Sequence, residues 1–254
     1  HKLVLDVYGA SDIGRVRSLN EDSFCIYGLE TGQADGFCVL SDGMGGHNAG
    51  EVASQKTVQF VAETLMEAET DAKNEAAPAK IGRAVHRANQ KIYQMAGENQ
   101  TQKGMGATLV LAVIEKDEAY IANVGDSRAY RFDGEAMHQI SEDHSYVEEM
   151  RRRGKITEAD ARTHPQKNLI TRAVGVEPYV EGDLFEVRLT EKDMLLLCSD
   201  GLTGMTEDSR IAEVLSNAPT LELAGDALLQ LALDGGGRDN ITVALFTLGK
   251  KQGA

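Results

Sequence analysis

Strand-like segments in this sequence come in runs, and pairs of amphipathic helices separate the runs. The segments are rich in Val, Ile, Leu and aromatic residues, and turn residues bound several of them. Asp133-Gly134 lies between two of them and is typical of a hairpin turn. This order predicts antiparallel sheets rather than a regular alternation of strand and helix. The predicted strands are Leu3–Tyr8, Asp22–Tyr27, Gly36–Leu40, Ala107–Ile114, Ala119–Val124, Arg128–Phe132, Ala136–Ile140, Tyr179–Arg188, Met194–Cys198 and Ile241–Leu248.

The predicted helices carry apolar stripes at helical spacing, which indicate core packing rather than a binding surface. Because the apolar faces of both helix pairs need a sheet to cover, we expect two packed sheets with helices outside each. The first pair, before Ala107, has the stripes Ala53, Thr57, Phe60, Val61, Thr64, Leu65 and Ile81, Val85, Ala88, Ile92, Met95. The second pair is Arg210–Ser216 and Leu221–Leu233, with Leu221, Ala224, Leu228 and Leu231 as the stripe of the latter.

The 254 residues are enough for one large domain, and no linker is long enough to divide them, so we expect a single α+β domain over residues 1–254. The net charge of −14 argues against nucleic acid and anionic membranes as partners. The segment His1–Asp6 lacks a signal-peptide pattern, and no apolar run could span a bilayer. We therefore expect a monomer in the cytoplasm, with Cys25, Cys38 and Cys198 as small buried hydrophobic residues.

The strongest local signal is a Ser-Asp-Gly sequence that follows an apolar strand at two places. Val39-Leu40 leads into Ser41-Asp42-Gly43-Met44-Gly45-Gly46-His47, and Leu195–Cys198 leads into Ser199-Asp200-Gly201. Asp239 lies just before the last predicted strand, with Asn240 between them. Asp126 follows a predicted strand in Gly125-Asp126-Ser127. Asp-Gly is also common in turns, and for one site alone the turn would be the better interpretation. The repetition favours a shared function.

Aspartates at strand ends suit the binding of Mg²⁺ or Mn²⁺, which prefer octahedral coordination by oxygen. A glycine after the aspartate lets the backbone approach closely, so that its carbonyl could be a further ligand. Two cations that share a carboxylate could activate a water molecule and bind a phosphoryl group. The cations would also screen the repulsion among the clustered carboxylates. The sequence thus predicts a metal-dependent phosphohydrolase.

The segment Gly14–Asp22 adds a group for phosphate. Arg17 offers a planar guanidinium that suits bidentate phosphate contact. Glu21 and Asp22 could accept hydrogen bonds from metal-bound waters. The alternative is a solvated charged loop with internal ion pairs, which would be the safer interpretation of this segment alone.

Together these motifs resemble the PP2C-type (PPM) family of metal-dependent protein serine/threonine phosphatases, in particular its compact bacterial members. They follow the family order from about Asp12 to about Phe246, and their specificity lies in the ordered set. The motifs are Arg17 with Asn20-Glu21-Asp22, Asp42–His47, Gly106-Ala107-Thr108, Asn123–Arg128, Ser199-Asp200-Gly201 and Arg238-Asp239-Asn240.

The resemblance implies a four-layer αββα sandwich with two Mn²⁺ or Mg²⁺ ions at one end of two central antiparallel sheets. It implies that Asp42 bridges the ions, that Gly43 gives its carbonyl to one, and that Asp200 and Asp239 complete the other. Asp126 matches a ligand of a third ion that is bound more weakly. The resemblance further implies that a metal-bridging water attacks phosphorus directly, that Arg17 binds the phosphate, and that the substrates are phosphoproteins of a bacterial Ser/Thr kinase.

One position departs from some family members, which have histidine directly after Asp-Gly as a candidate general acid. Here that residue is Met44, and His47 follows three residues later, as in bacterial relatives. His47 is a candidate proton donor. A loop histidine with a local hydrogen bond, or a metal-bound water as the acid, are the alternatives.

The segment Ser141–Gly175 resembles the family's flap beside the active site. Ser141 is a candidate cap of a helix that ends at Arg151-Arg152-Arg153-Gly154, and Thr157 starts a second helix that stops near Pro165. The arginines could bind acidic or phosphorylated surfaces, but complementing the helix dipole is the favoured interpretation. As an exposed insertion, the flap is a candidate for substrate selection.

Two other functions use the same features. A pseudophosphatase would keep the fold as a binding module, but Asp42, Asp200 and Asp239 are all present, which ranks it low. A sensor-type phosphatase with one dedicated partner would carry extra domains, for which 254 residues leave no room unless the natural chain is longer.

Overall fold

Two antiparallel sheets form the centre of the protein in a computed structural model, which describes residues 3–28, 35–71 and 75–250. The first sheet has the strand order β1-β11-β10-β7-β8, and the second has the order β2-β3-β5-β6-β9, with β4 paired to β3. The strands are β1 (Leu3–Asp12), β2 (Asp22–Tyr27), β3 (Asp35–Met44), β4 (Gly106–Ala107), β5 (Leu109–Glu115), β6 (Glu118–Val124), β7 (Arg128–Phe132), β8 (Met137–Gln139), β9 (Asp183–Arg188), β10 (Met194–Cys198) and β11 (Ile241–Lys250).

Helices cover the outer face of each sheet. The pair α1 and α2 lies against the second sheet, whereas α5, α6 and α7 lie against the first. The short helices α3 and α4 belong to the segment between β8 and β9. The helices are α1 (Ala49–Asp71), α2 (Ala77–Glu98), α3 (Tyr146–Arg152), α4 (Glu158–Thr163), α5 (Asp200–Thr203), α6 (Asp208–Asn217) and α7 (Leu221–Asp234).

Three hydrophobic cores separate the four layers. One lies between the two sheets and contains Leu40, Ile121 and Phe246. A second joins the second sheet to α1 and α2, and a third joins the first sheet to α6 and α7. The arrangement is the predicted αββα sandwich, in which each sheet buries both of its faces.

The helix stripes pack against the cores as predicted, with Phe60 and Met95 only partly buried there, and Leu231 is the exception. Ala53, Thr57 and Val61 of α1 are fully buried, as are Ala88 and Ile92 of α2. In α7 the stripe was predicted to include Leu231, which is only partly buried; the fully buried residue there is its neighbour Ala232. Both residues lie about one turn beyond Leu228, and the buried face of α7 passes through Ala232.

The prediction that the third strand ends at Leu40 is wrong, because β3 continues to Met44. Its last residues have partners on both sides: Gly43 and Met44 pair with β4, and the N–H of Gly43 donates to the carbonyl of Glu21 at 2.9 Å. Asp42 therefore lies within a strand. At the other motif, Asp200 does not end a strand but begins α5.

Other predicted strands also have different limits, and β1 continues to Asp12, four residues beyond the predicted end at Tyr8. The predicted strand Ala107–Ile114 is interrupted at Thr108, which separates β4 from β5. The predicted strand Tyr179–Arg188 begins only at Asp183, which pairs with Asn123 near the end of β6. Residues 179–182 of the predicted strand pair with no other strand, because β6 ends at Val124 and leads into the turn at Gly125.

The prediction that Ser141 caps the first flap helix is also wrong. Ser145 is the cap of α3, and its Oγ accepts a hydrogen bond from the N–H of Glu148. The hydroxyl of Ser141 instead accepts from the N–H of Ala129 at 3.0 Å, which ties this segment to β7. The second flap helix begins as predicted, since Thr157 and Asp160 form a capping box at the start of α4.

In the described part of the chain, no helix has the length and apolar character that a membrane crossing requires.

Candidate metal centre

Asp42 is fixed by its backbone at the end of β3. Its N–H donates to Oγ1 of Thr108 at 3.0 Å, and its carbonyl accepts from the N–H of Thr108 at 2.8 Å. The next residue, Gly43, packs against the start of α1, where a Cβ would lie 1.7 Å from the carbonyl oxygen of Gly50. Glycine is therefore required at position 43 by the close approach of two backbones.

Asp200 and Asp239 come from two other segments that also approach closely. Asp200 is the first residue of α5, directly after β10, and Asp239 lies in the turn between α7 and β11. A Cβ on Gly201 would lie 1.9 Å from the carbonyl oxygen of Asn240, so the glycine of the second Ser-Asp-Gly permits this contact.

These three aspartates meet at one point of the structure. Each of Asp42, Asp200 and Asp239 offers a carboxylate oxygen, and the three oxygens lie within 4.8 Å of one another. Asp42 lies in β3 of the second sheet, whereas Asp200 follows β10 and Asp239 precedes β11, both strands of the first sheet. The cluster therefore joins the two central sheets at one end.

The pKa values of this cluster are raised. Burial, followed by the charges of Asp200 and Asp22, holds the pKa of Asp42 well above its usual range. Burial and the charge of Asp239 raise the pKa of Asp200. For Asp22, burial and the charges of Asp200 and Asp239 raise the pKa to about 7, although hydrogen bonds from Thr242 and Ser199 lower it. The cluster is thus an unfavourable concentration of negative charge that a cation would relieve.

Buried oxygens without hydrogen bonds show that this donor set fits cations. Within the described residues, Oδ1 of Asp200, Oδ1 of Asp22 and Oε2 of Glu21 are buried and have no hydrogen-bond partner. Orphaned carboxylate oxygens at a buried site are costly unless a cation or water binds them. An all-oxygen set matches the preference of Mg²⁺ and Mn²⁺.

Arg17 lies beside the cluster, where its Nε is 3.4 Å from Oδ1 of Asp239 and its side chain is half exposed. Asn240 holds the loop that carries Arg17: its Nδ2 donates to the carbonyls of Ile13 and Leu19, and its Oδ1 accepts from the N–H of Glu21. The guanidinium is therefore placed on a fixed loop, with part of its surface open to a ligand.

Asp126 is near the cluster but outside the group of three. Burial and the charge of Asp200 hold its pKa well above the usual range. Asp126 and Asp200 both line a cleft of about 1110 Å³ that also borders α3, α4 and the segment from Thr203 to Ser209. A separate cation held by Asp126 would therefore lie toward the flap.

His47 and Met44 lie in the turn between β3 and α1. His47 is exposed and has a left-handed backbone with φ 55°, an uncommon conformation for a residue other than glycine. In the described residues, no hydrogen bond ties its ring to the aspartates, so its role as a proton donor stays a prediction.

The flap arginines have mostly internal partners. Arg151 donates to Glu148 at 2.7 Å, and Arg152 pairs with Glu148 and Glu142. These ion pairs favour a structural role for Arg151 and Arg152 at the end of α3 over the binding of acidic or phosphorylated surfaces.

Four polar residues that position the centre had no role predicted from sequence. Hydroxyls of Ser199 and Thr242 donate to Oδ2 of Asp22 at 2.8 and 2.6 Å, Thr108 holds Asp42, and Asn240 holds the Arg17 loop. Ser199, Thr108 and Asn240 stand in the motifs named above, and Ser199 and Asn240 are next to an aspartate, whereas nothing in the sequence marked Thr242.

Comparison with known proteins assigns the family. A sequence profile described as Protein phosphatase 2C matches residues 9–232. The serine/threonine phosphatase stp of Listeria innocua is 40% identical over 235 residues, which cover 92% of each chain. The chain belongs to the protein phosphatase 2C family. The predicted class of enzyme, a serine/threonine protein phosphatase, is confirmed.

Solved structures agree with this assignment to protein phosphatase 2C. A bacterial serine phosphatase superposes with a TM-score of 0.90 at 40% identity, covering 98% of this chain and all of the other. The catalytic domain of the serine threonine protein phosphatase PstP, in complex with two manganese ions, has a TM-score of 0.84 at 35% identity, covering 98% of this chain and all of the other. The predicted fold and the dependence on metal are thereby supported.

Proposed function

We propose that the chain hydrolyses phosphoserine and phosphothreonine in proteins at a centre of two cations, Mn²⁺ or Mg²⁺. The observation that carries the proposal is the meeting of Asp42, Asp200 and Asp239, with a buried oxygen of Asp200 unpaired. In this proposal Asp42 would serve both ions, Gly43 would contribute its carbonyl, and Asp200 and Asp239 would hold the second ion. Bound cations would supply an activated water and neutralise charge on the phosphoryl group.

Arg17 binds and orients the phosphate. Its guanidinium is half exposed and is held next to Asp239, so it can donate to phosphate oxygens while the carboxylate keeps it in place. Glu21 and Asp22 accept hydrogen bonds from water molecules at the centre through their unpaired oxygens.

The proton for the leaving serine or threonine oxygen comes from His47 in this proposal. The turn at His47 is exposed and follows Met44 in the same segment as Asp42, so a substrate at the centre would lie close to it. A His47→Gln variant should lower kcat with little change in KM, because it removes a proton donor and not a phosphate contact.

Asp126 holds a third ion more weakly, on the side of the flap. The residues at about 141–175 form that flap as an insertion in one domain of residues 1–254, and its cleft receives the protein substrate around the phosphorylated residue. Asp126 and the flap helices line the same cleft, which supports this placement.

The partners are a bacterial Ser/Thr kinase and its substrates, and the phosphatase reverses the phosphorylation that this kinase carries out. It acts as a monomer in this proposal. The cytoplasm is the proposed compartment, because Cys25, Cys38 and Cys198 are all free and at least partly buried, as expected under reducing conditions.

The test is hydrolysis of a phosphothreonine peptide with increasing Mn²⁺. Wild type should be activated by the metal and silenced by a chelator, and Asp200→Asn and Asp239→Asn should each lose most turnover while keeping the circular-dichroism spectrum. Asp6→Asn removes an exposed carboxylate in β1 and is the matched control. Full activity in either centre variant would contradict the assignment, and metal binding without turnover in wild type would indicate a pseudophosphatase.

A further inference from the structure

The turn that carries Asp126 depends on Gly125. Gly125 has φ 108°, and a Cβ there would lie 2.8 Å from Cγ2 of Thr108, so only glycine fits. Its backbone N–H does not donate to another backbone group. It donates to Nδ1 of His144 at 3.0 Å, so a side chain sets the orientation of the Val124–Gly125 peptide, which leads into the residue before Asp126.

His144 is buried and uses every polar atom it has. Its backbone N–H donates to the carbonyl of Gly125 at 2.9 Å, and its own carbonyl accepts from the N–H of Thr171 at 2.9 Å. Its Nε2 lies 2.8 Å from Oδ2 of Asp183 on β9. His144 therefore holds the peptides on both sides of Gly125: its ring accepts from the Gly125 N–H, and its backbone N–H donates to the Gly125 carbonyl.

These contacts select one form of the ring. Nδ1 faces a donor and must be an acceptor, so the proton of the neutral ring lies on Nε2 and is donated to Asp183. Burial lowers the pKa of His144, which favours this neutral form. The other oxygen of Asp183 accepts from Nη1 of Arg172 at 3.1 Å, which fixes the orientation of the carboxylate. Asp183 thus selects the tautomer that can hold Gly125.

We propose that His144 is a positioning residue that fixes the Gly125 peptide and thereby aims the Asp126 carboxylate at the weaker cation. This inference rests on the proposed function, in which Asp126 binds that cation. His144 contacts neither the cation nor the substrate; it acts through the turn. Losing such an outer partner of a metal ligand typically weakens metal binding about 10–100-fold.

Two amide variants separate the ring's two contacts. In His144→Asn, the amide oxygen takes nearly the position of Nδ1 and can still accept from Gly125. In His144→Gln, the amide reaches nearly the position of Nε2 and can still contact Asp183, but the Gly125 N–H loses its acceptor. Both remove the ring, so the pair is matched for the loss of packing. Calorimetric titration with Mn²⁺ should show the weaker class of sites weakened about tenfold or more in His144→Gln, and much less in His144→Asn.

A third variant, Asp183→Asn, tests the tautomer without changing His144. Arg172 needs an acceptor, so the oxygen of the new amide faces Arg172 and its NH₂ faces Nε2. The ring must then accept at Nε2 and carry its proton on Nδ1, toward the donor N–H of Gly125. We expect weaker binding of the weaker Mn²⁺ class, and nitrogen chemical shifts of the imidazole that report the change of tautomer. This variant also serves if His144→Gln does not fold.

The outcomes are distinct. The inference would be overturned if His144→Asn and His144→Gln weakened Mn²⁺ binding at the weaker sites equally, or if neither changed it. It would also be overturned if the variants weakened Mn²⁺ binding at the tight sites as much as at the weaker ones. Unchanged Mn²⁺ binding to the weaker class of sites in Asp126→Asn would also overturn it. A wild type that binds Mn²⁺ but hydrolyses no phosphopeptide would instead defeat the proposed function, while the comparison of binding among the variants would still decide the role of His144.

Discussion

Replacing Asp22 by Asn should make the metal-free protein more stable. Asp22 is buried against the cluster, and burial together with the charges of Asp200 and Asp239 raises its pKa to about 7. Its usual pKa, in the unfolded chain, is about 3.8. A shift of about three pH units corresponds to roughly 4 kcal/mol that the ionised group costs the fold at neutral pH. Asparagine carries no charge and still accepts from Ser199 and Thr242, so it avoids most of that cost.

The sign of the pH dependence follows from the raised pKa. The folded protein binds a proton on Asp22 more tightly than the unfolded chain does, so wild type loses stability as the pH rises from about 4 to about 7. Well below pH 4, Asp22 is protonated in both states and the cost disappears. The advantage of Asp22→Asn should therefore be largest at and above pH 7 and should shrink toward pH 4.

Thermal melting in the presence of a chelator measures this effect between pH 4 and 8. For a chain of this size, roughly 4 kcal/mol is an increase in Tm on the order of 10 °C at pH 7.5. Saturating Mn²⁺ should reduce or reverse the difference, because the cations favour the charged wild type. Asp6→Asn, in exposed β1, is the control and should show no such gain. A Tm for Asp22→Asn that is unchanged or lower at pH 7.5, or a gain independent of pH, would refute the reasoning.

Two further substitutions test separate parts of the centre. Gly201→Ala would place a Cβ 1.9 Å from the carbonyl oxygen of Asn240, so urea denaturation should show a loss of about 1–3 kcal/mol or more; unchanged stability would contradict the close approach of α5 to the turn before β11. Arg17→Lys keeps the charge beside Asp239 but loses the planar fork, so KM for a phosphothreonine peptide should rise roughly tenfold. A fall in kcat with KM unchanged would show that Arg17 does not bind the phosphate in the ground state.

The positions of the principal aspartates could be predicted from the sequence, because the signal is local. Asp42 and Asp200 each follow an apolar run and precede a glycine, and that pattern places a short carboxylate where two backbones approach. The αββα arrangement was predictable for a similar reason, since the periodicity of each helix shows which face needs a sheet.

The features that the sequence did not predict depend on partners far away in the chain. The end of β3 was misplaced because Gly43 pairs with Ala107 and bonds to Glu21, neither of which is visible in the segment itself. Ser141 has the right type for a helix cap, but its hydroxyl is used by Ala129. The hydroxyls on Asp22 come from residues 177 and 220 positions away.

The ways in which Asp42 and Asp126 are held give a physical reason for tight and weak cation sites in one centre. Asp42 lies within β3: its carbonyl accepts from the backbone N–H of Thr108, and the N–H of the next residue, Gly43, donates to the carbonyl of Glu21, so its position persists as long as the sheet does. Asp126 follows a glycine whose N–H is held by one histidine side chain, and that histidine lies in the flap segment before α3. Because a ligand that is less rigidly pre-organised pays more entropy when it binds, the Asp126 site should bind its cation more weakly even with the same kind of ligand atom.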